Sequence, residues 1–181
     1  MYGGMIMVGD FDDNRLHLNK GRMMAEQYPG YEELLAKLSS AVRARIPPSL
    51  DKVIKLQRRD YKLRLTTDEE IFNLHRMITP STPKDIIDNW NLITLVRPQG
   101  KLVFLLGEVR RKNGCPRITS DIVSIDREFG FLTTISGSLY ELGDPKNAPP
   151  TELELFLVCR TFHSWGFGDE LGVPLYSINY H

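Results

Sequence analysis

The sequence predicts an α+β protein. A helical N-terminal half packs on a C-terminal antiparallel sheet of about five strands, open or curled into a small β-barrel, with a buried late helix. Three observations carry this expectation. Apolar residues of the 31–46 stretch recur at the period of one helix face. Alternating apolar runs joined by short turns fill residues 92–142. A broadly apolar stretch follows a capping box at Thr151.

Met5-Ile-Met-Val8 is a short strand candidate, and Gly9 to Asn14 is a polar turn. Tyr28-Pro-Gly30 breaks the chain ahead of a helix. Tyr31, Leu34, Leu35, Leu38, Val42 and Ile46 then lie on one helical face. Pro47-Pro48 ends that helix, because a residue before proline is pushed away from helical angles. Residues 51–66 fit a helix or a hairpin. Tyr61, Leu63 and Leu65 alternate with Lys62 and Arg64, which favours the hairpin.

Thr67-Asp-Glu-Glu70 is a capping box that opens a helix toward Met77 or Ile78. Thr82-Pro83 predicts a second short helix over about 83–90, with proline at its first position. Runs 92–96 and 102–109 flank Arg97-Pro-Gln-Gly-Lys101 as a hairpin. Asn113-Gly114 turns the chain into an alternating run over 117–125. Asp126 to Gly130 turns it again, and strands 131–135 and 139–142 follow. Short connections imply antiparallel neighbours. Thr151-x-x-Glu154 opens the last helix, Gly166-Phe-Gly168 closes it, and 173–180 is a candidate final strand. The chain reads as one compact domain over 1–181, with 1–90 as a helical subdomain and 91–181 as a β-rich one.

Composition places the chain among globular proteins. The 181 residues are 41% hydrophobic and 25% charged. That balance excludes a disordered chain, a coiled-coil rod and a collagen-like fibre. The apolar runs 102–106 and 155–159 are far short of the roughly 20 residues of a membrane helix. No basic region precedes the apolar run at the start, so no signal peptide is expected. Cys115 and Cys159 are too few for a disulfide framework, and a reducing, cytoplasmic home is the expectation.

The net charge of zero hides an asymmetry. Residues 1–112 hold 19 Lys+Arg against 14 Asp+Glu, and residues 113–181 hold 4 against 9. Two basic clusters stand out, 52–64 and 110–117. Arg58, Arg59, Lys62, Arg64, Arg110, Arg111 and Lys112 are therefore the candidate partner-binding residues. Clustered on one surface, they would steer an acidic protein or track a phosphate backbone.

Other constellations carry less chemistry. Asp10, Asp12 and Asp13 follow a strand candidate, the position from which carboxylates hold magnesium in metal-dependent hydrolases. Asp10-Phe-Asp12 resembles the first motif of haloacid-dehalogenase-type phosphatases. That resemblance covers three residues and implies a parallel sheet with a downstream Thr or Ser, a Lys and a second acidic pair, where this chain reads as an antiparallel meander. Cys159 and His163 share a helix face at the spacing of a zinc or thiol–imidazole pair, with Cys115 a conceivable third ligand. A structural zinc needs four, so Cys159 is expected to be a buried inert thiol. Gly166, Gly168 and Gly172 follow a helix rather than precede one, the reverse of a phosphate loop.

The leading reading is a non-enzymatic macromolecular interaction protein, of the bacterial or phage accessory or inhibitor type, that needs no cofactor. It would bind a protein or nucleoprotein with an acidic surface. A nucleic-acid-binding module using the two basic clusters is the first alternative. A hydrolase built on Asp10, Asp12 and Asp13 is the second.

Overall fold

The computed structural model describes residue 36 and residues 38–176, apart from positions 80 and 113. Three helices occur among the described residues: α1 (Ser40–Arg43), α2 (Asp68–Leu74) and α3 (Glu152–Ser164). Seven strands form one sheet: β1 (Lys62–Leu65), β2 (Asp85–Arg97), β3 (Gly100–Val109), β4 (Cys115–Ile118), β5 (Ile122–Asp126), β6 (Phe131–Thr134) and β7 (Leu139–Leu142). Single 3-10 turns occupy Leu50–Lys52 and Arg110–Lys112.

This corrects the expected fold class. The protein is mostly sheet, and its longest described helix is the C-terminal α3, not part of a helical N-terminal half. The sheet is mixed and open, not a purely antiparallel barrel. Its strand order is β4-β3-β2-β7-β6-β5, with β1 on β2. The pairs β1–β2, β2–β3, β3–β4, β5–β6 and β6–β7 are antiparallel, the last four across short connections, while β4 and β5 do not pair with each other. The exception is β7, which runs parallel to Asp85–Ile87 at the start of β2.

The helix opened at Thr67 ends at Leu74 instead of reaching Met77 or Ile78, and three further local expectations fail, each for a tertiary reason. Residues 51–66 form no hairpin: β1 pairs instead with Ile93–Val96 of β2, nearly thirty positions away. The stretch 83–90 is strand, not helix. Asp85 to Ile87 are held by β7 on one side, and Ile87 by Val109 of β3 on the other. Paired strands on both sides outweigh a local proline cap. The run 117–125 is broken at Thr119–Asp121, where side chains replace the ladder. Thr119 Oγ1 accepts the Leu105 amide at 3.0 Å, and Asp121 Oδ1 accepts the Val103 amide at 2.8 Å. Residues 173–176 form no strand, and Met5–Val8, Asp10, Asp12 and Asp13 lie outside the described residues.

Both expected capping boxes are present, at Thr67 with Glu70 and at Thr151 with Glu154. Alternation along the strands sorts the apolar residues onto two faces. Leu63, Ile93, Leu95, Phe104 and Leu106 meet α3 through Leu155, Val158, Cys159 and Phe162. Leu38, Val42 and Ile46 join this core, but the helix expected over 31–46 is broken at 38–39 and covers only Ser40–Arg43 after that, and Tyr31, Leu34 and Leu35 lie outside the described residues. Ile87, Leu92, Val103, Leu105, Val109, Ile125, Leu132 and Tyr140 form a second core on the opposite face.

Ile87 and Leu92 are five positions apart yet face the same core. A bulge allows it: the register slips by one residue between Asp88 and Asn91, and Asn89 takes φ 46°. Gly107 on β3 makes room for the bulge. A Cβ there would lie 2.6 Å from Ile87 Cγ2, 2.9 Å from Trp90 Cβ and 3.0 Å from the Asp88 carbonyl oxygen. Two of these atoms sit at or beside the backbone and cannot swing away. Gly107→Ala is expected to cost about 1–3 kcal/mol, read from the denaturant midpoint. A loss under 0.5 kcal/mol would show that the bulge yields.

Candidate interaction surface

The chain between α1 and β1 is short of regular structure but firmly held. Ser39 caps α1, and the two prolines turn the chain into the 3-10 turn. Leu50, Val53 and Ile54 are buried in the α3-side core. Sequence spacing then forces Lys52 and Lys55 outward. The amides of Lys55 and Leu56 both donate to the Leu171 carbonyl, at 3.0 Å each. Gln57 takes φ 53°, and Arg58 Nη2 folds back to donate to the Asp51 carbonyl at 3.0 Å. Arg45 is fixed by its backbone and its guanidinium: Tyr176 Oη donates to its carbonyl at 2.8 Å, and Nη2 donates to the Leu175 carbonyl at 3.2 Å.

Three contiguous grooves open along this segment and the outer edge of β1. One, of about 380 Å³, is lined by Arg45, Lys52, Lys55 and Arg58 over Ile46, Pro47, Pro48 and Ile54. A second, of about 310 Å³, lies between Asp51, Arg58 and the β1 residues Lys62–Arg64. The third, of about 280 Å³, is walled by Pro48, Leu50, Leu63, Leu65, Pro149 and Pro150. Residues 45–62 carry six Lys/Arg against Asp51 and Asp60, so this end of the molecule is cationic. Asp51 neutralises little beyond Lys52, whose Nζ lies 3.2 Å away.

The structure brings some candidate residues together and separates others. Arg58 and Lys62 line the grooves, and Arg59 is exposed beside them. Arg64 lies along the same edge, but its guanidinium is spent. It forks onto Glu70 through Nη1 to Oε2 at 2.8 Å and Nη2 to Oε1 at 2.7 Å. Arg110, Arg111 and Lys112 stand at the other end of the β2–β3 hairpin. Lys62 lies level with Val96 and Lys101, whereas Arg110 follows Val109, eight positions along β3. At about 3.4 Å per residue the two clusters are roughly 27 Å apart. Arg110 is also bound, in a bidentate pair with Asp88 at 2.7 and 2.5 Å that holds the Asp88 carboxyl below its ordinary pKa.

Arg45 is not among the residues the sequence singles out, and Lys52 and Lys55 stand there only as part of the basic run 52–64. The signal for the lysines was legible: both flank the buried pair Val53-Ile54. No signal in the sequence places Arg45 beside them, because only the turn after Pro48 does so.

The thiol–imidazole pair is structural. Cys159 is fully buried, and burial pushes its thiol up to about 12. The His163 ring packs over Gly168, and its Nε2 meets the Val173 carbonyl at 2.8 Å. Among the described residues no group of three His, Cys, Asp or Glu could hold a metal, and no helix is long and apolar enough to cross a membrane. Compared with family models, with curated proteins and with solved structures, the chain matches none.

Proposed function

We propose that this chain acts by binding an acidic macromolecular partner on the cationic end formed by residues 45–62. The carrying observation is the groove in which Arg45, Lys52, Lys55 and Arg58 converge over an apolar floor. Converging cations raise the local concentration of an acidic partner and orient it on approach. Backbone contacts hold the segment in shape before binding, so little ordering entropy is lost there. A protein surface is favoured over nucleic acid. Tyr61, the only aromatic among the described residues that line the grooves, is 8% exposed and offers no platform for stacking a base.

The expected result is a salt-dependent association. Poly-L-glutamate should bind the full chain at low salt and release as ionic strength rises. K52E/K55E/R58E should weaken that binding at least tenfold. These side chains are exposed, so the variant should stay folded, with a small loss in the denaturant midpoint from the Arg58 bond to the Asp51 carbonyl. Arg111→Ala, at the far end, should bind as the native protein does. Equal binding by native protein and triple variant would overturn the proposal. Tighter, salt-dependent binding to duplex DNA than to polyglutamate would move it to the nucleic-acid reading.

A further inference from the structure

We infer that the partner's contact element is an acidic peptide segment bearing one apolar anchor. The anchor seats in the proline-walled groove, and flanking carboxylates lie over Lys52, Lys55 and Arg58. This inference rests on the proposed function and specifies its ligand.

Two neighbouring concavities of opposite character point to it. The proline-walled groove is lined by Pro48, Leu50, Leu63, Leu65, Pro149 and Pro150, and also by Ser49, Asp51 and Arg64. Leu65 is 45% exposed, although it lies on a strand face whose other residues are buried. Leaving it in water forgoes burial that an apolar side chain from a partner would restore. At about 280 Å³ the groove has room for one large apolar side chain. Proline walls hold their shape without ordering cost.

The cationic groove shares Pro48 with it, and the middle groove joins both through Ile54, Arg58 and Leu63. A ligand crossing Pro48 therefore passes from an apolar seat to a cluster of cations. Neither half suffices alone. Exposed charges contribute mainly to approach, whereas a desolvated anchor slows dissociation.

The test is selection of random twelve-residue peptides displayed on phage against the immobilised full chain. Enriched peptides should share an apolar residue flanked by Asp or Glu. A synthetic peptide of that consensus should bind K52E/K55E/R58E at least tenfold more weakly. It should bind Leu65→Ser at least fivefold more weakly with its salt dependence unchanged. Leu65 is exposed, so its replacement should leave the fold intact. Acidic peptides without a common anchor, indifferent to Leu65→Ser, would overturn this inference while leaving the proposed function standing. Enrichment of basic or uncharged peptides, or of none, would overturn it as well. In that case polyglutamate binding shows whether the proposed function falls too.

Discussion

Glu70→Ala is expected to destabilise the protein by about 3 kcal/mol or more, measured by denaturant unfolding. Glu70 lies at the third position of α2, 6% exposed, where three neighbouring strands present side chains to it. It takes a fork from Arg64 of β1. It accepts from Thr94 Oγ1 of β2 at 3.1 Å and pairs with Lys101 Nζ of β3 at 2.8 Å. Its Oε2 also accepts the Thr67 amide at 3.0 Å, closing the capping box. Alanine leaves the Thr67 cap in place but removes the Glu70 half of the capping box and several charge-assisted bonds worth about 1.5–3 kcal/mol each before the cations regain water. Arg43 and Glu152 form an equally short pair, at 2.7 Å, but in the open at 48% and 34% side-chain exposure. Arg43→Ala should leave the denaturant midpoint almost unchanged. A Glu70→Ala loss as small as that would show that the carboxylate is not what joins α2 to the sheet.

The same residue sets an acid limb. The Arg64 fork, ahead of Lys101 and the Thr67 amide, holds the Glu70 carboxyl far below the ordinary carboxylate range. A carboxyl lowered by folding stabilises above its unfolded pKa, near 4.3 for Glu, and that contribution is lost as pH falls further. Native stability should therefore drop between about pH 4.3 and 2 more steeply than that of Glu70→Gln. Parallel pH profiles for the two proteins would remove Glu70 as the cause.

Phe162→Ala is expected to cost about 3–5 kcal/mol. The ring is fully buried on α3, with centroids 6.3 Å from Phe104, 6.2 Å from Trp165 and 6.0 Å from Phe167. Phe104 belongs to β3, so this cluster is where helix and sheet meet. Truncation opens a cavity between two rigid elements, which cannot close over it. The readout is a lower denaturant midpoint at unchanged slope. Should the alanine variant fail to fold, Phe162→Leu serves instead, with a smaller loss. A leucine variant as stable as the native protein would mean that the neighbouring rings refill the space.

What the sequence disclosed were features decided within a few residues of themselves. The two capping boxes, the hairpin around Pro98-Gln99, the turn at Gly130 and the buried thiol of Cys159 are local patterns, and the structure has them. Hidden were the pairings between distant segments. β1 looks like half of a hairpin because Tyr61, Leu63 and Leu65 alternate, but alternation does not name the partner. Thr82-Pro83 looks like a helix start, and nothing nearby reveals that β7 waits to pair with Ile86. The site followed the same rule. The cations of 52–62 were legible as a run, while their separation from Arg110–Lys112 and their meeting with Arg45 depended on strand register.

The divided partnership of β2 sets an order for folding. Its pairing with β3 spans a two-residue turn, whereas its parallel pairing with β7 joins Asp85 to Tyr140, fifty-five positions away. Closing the longer loop costs about 2 kcal/mol more in chain entropy. The β2–β3 hairpin can therefore form early, and the parallel seam closes late, once β5, β6 and β7 have assembled among themselves. During that interval the N-terminal half of β2 carries an open backbone edge. Charged Asp85 and Asp88, on either side of Ile86-Ile87, stand where that edge would otherwise recruit a second chain.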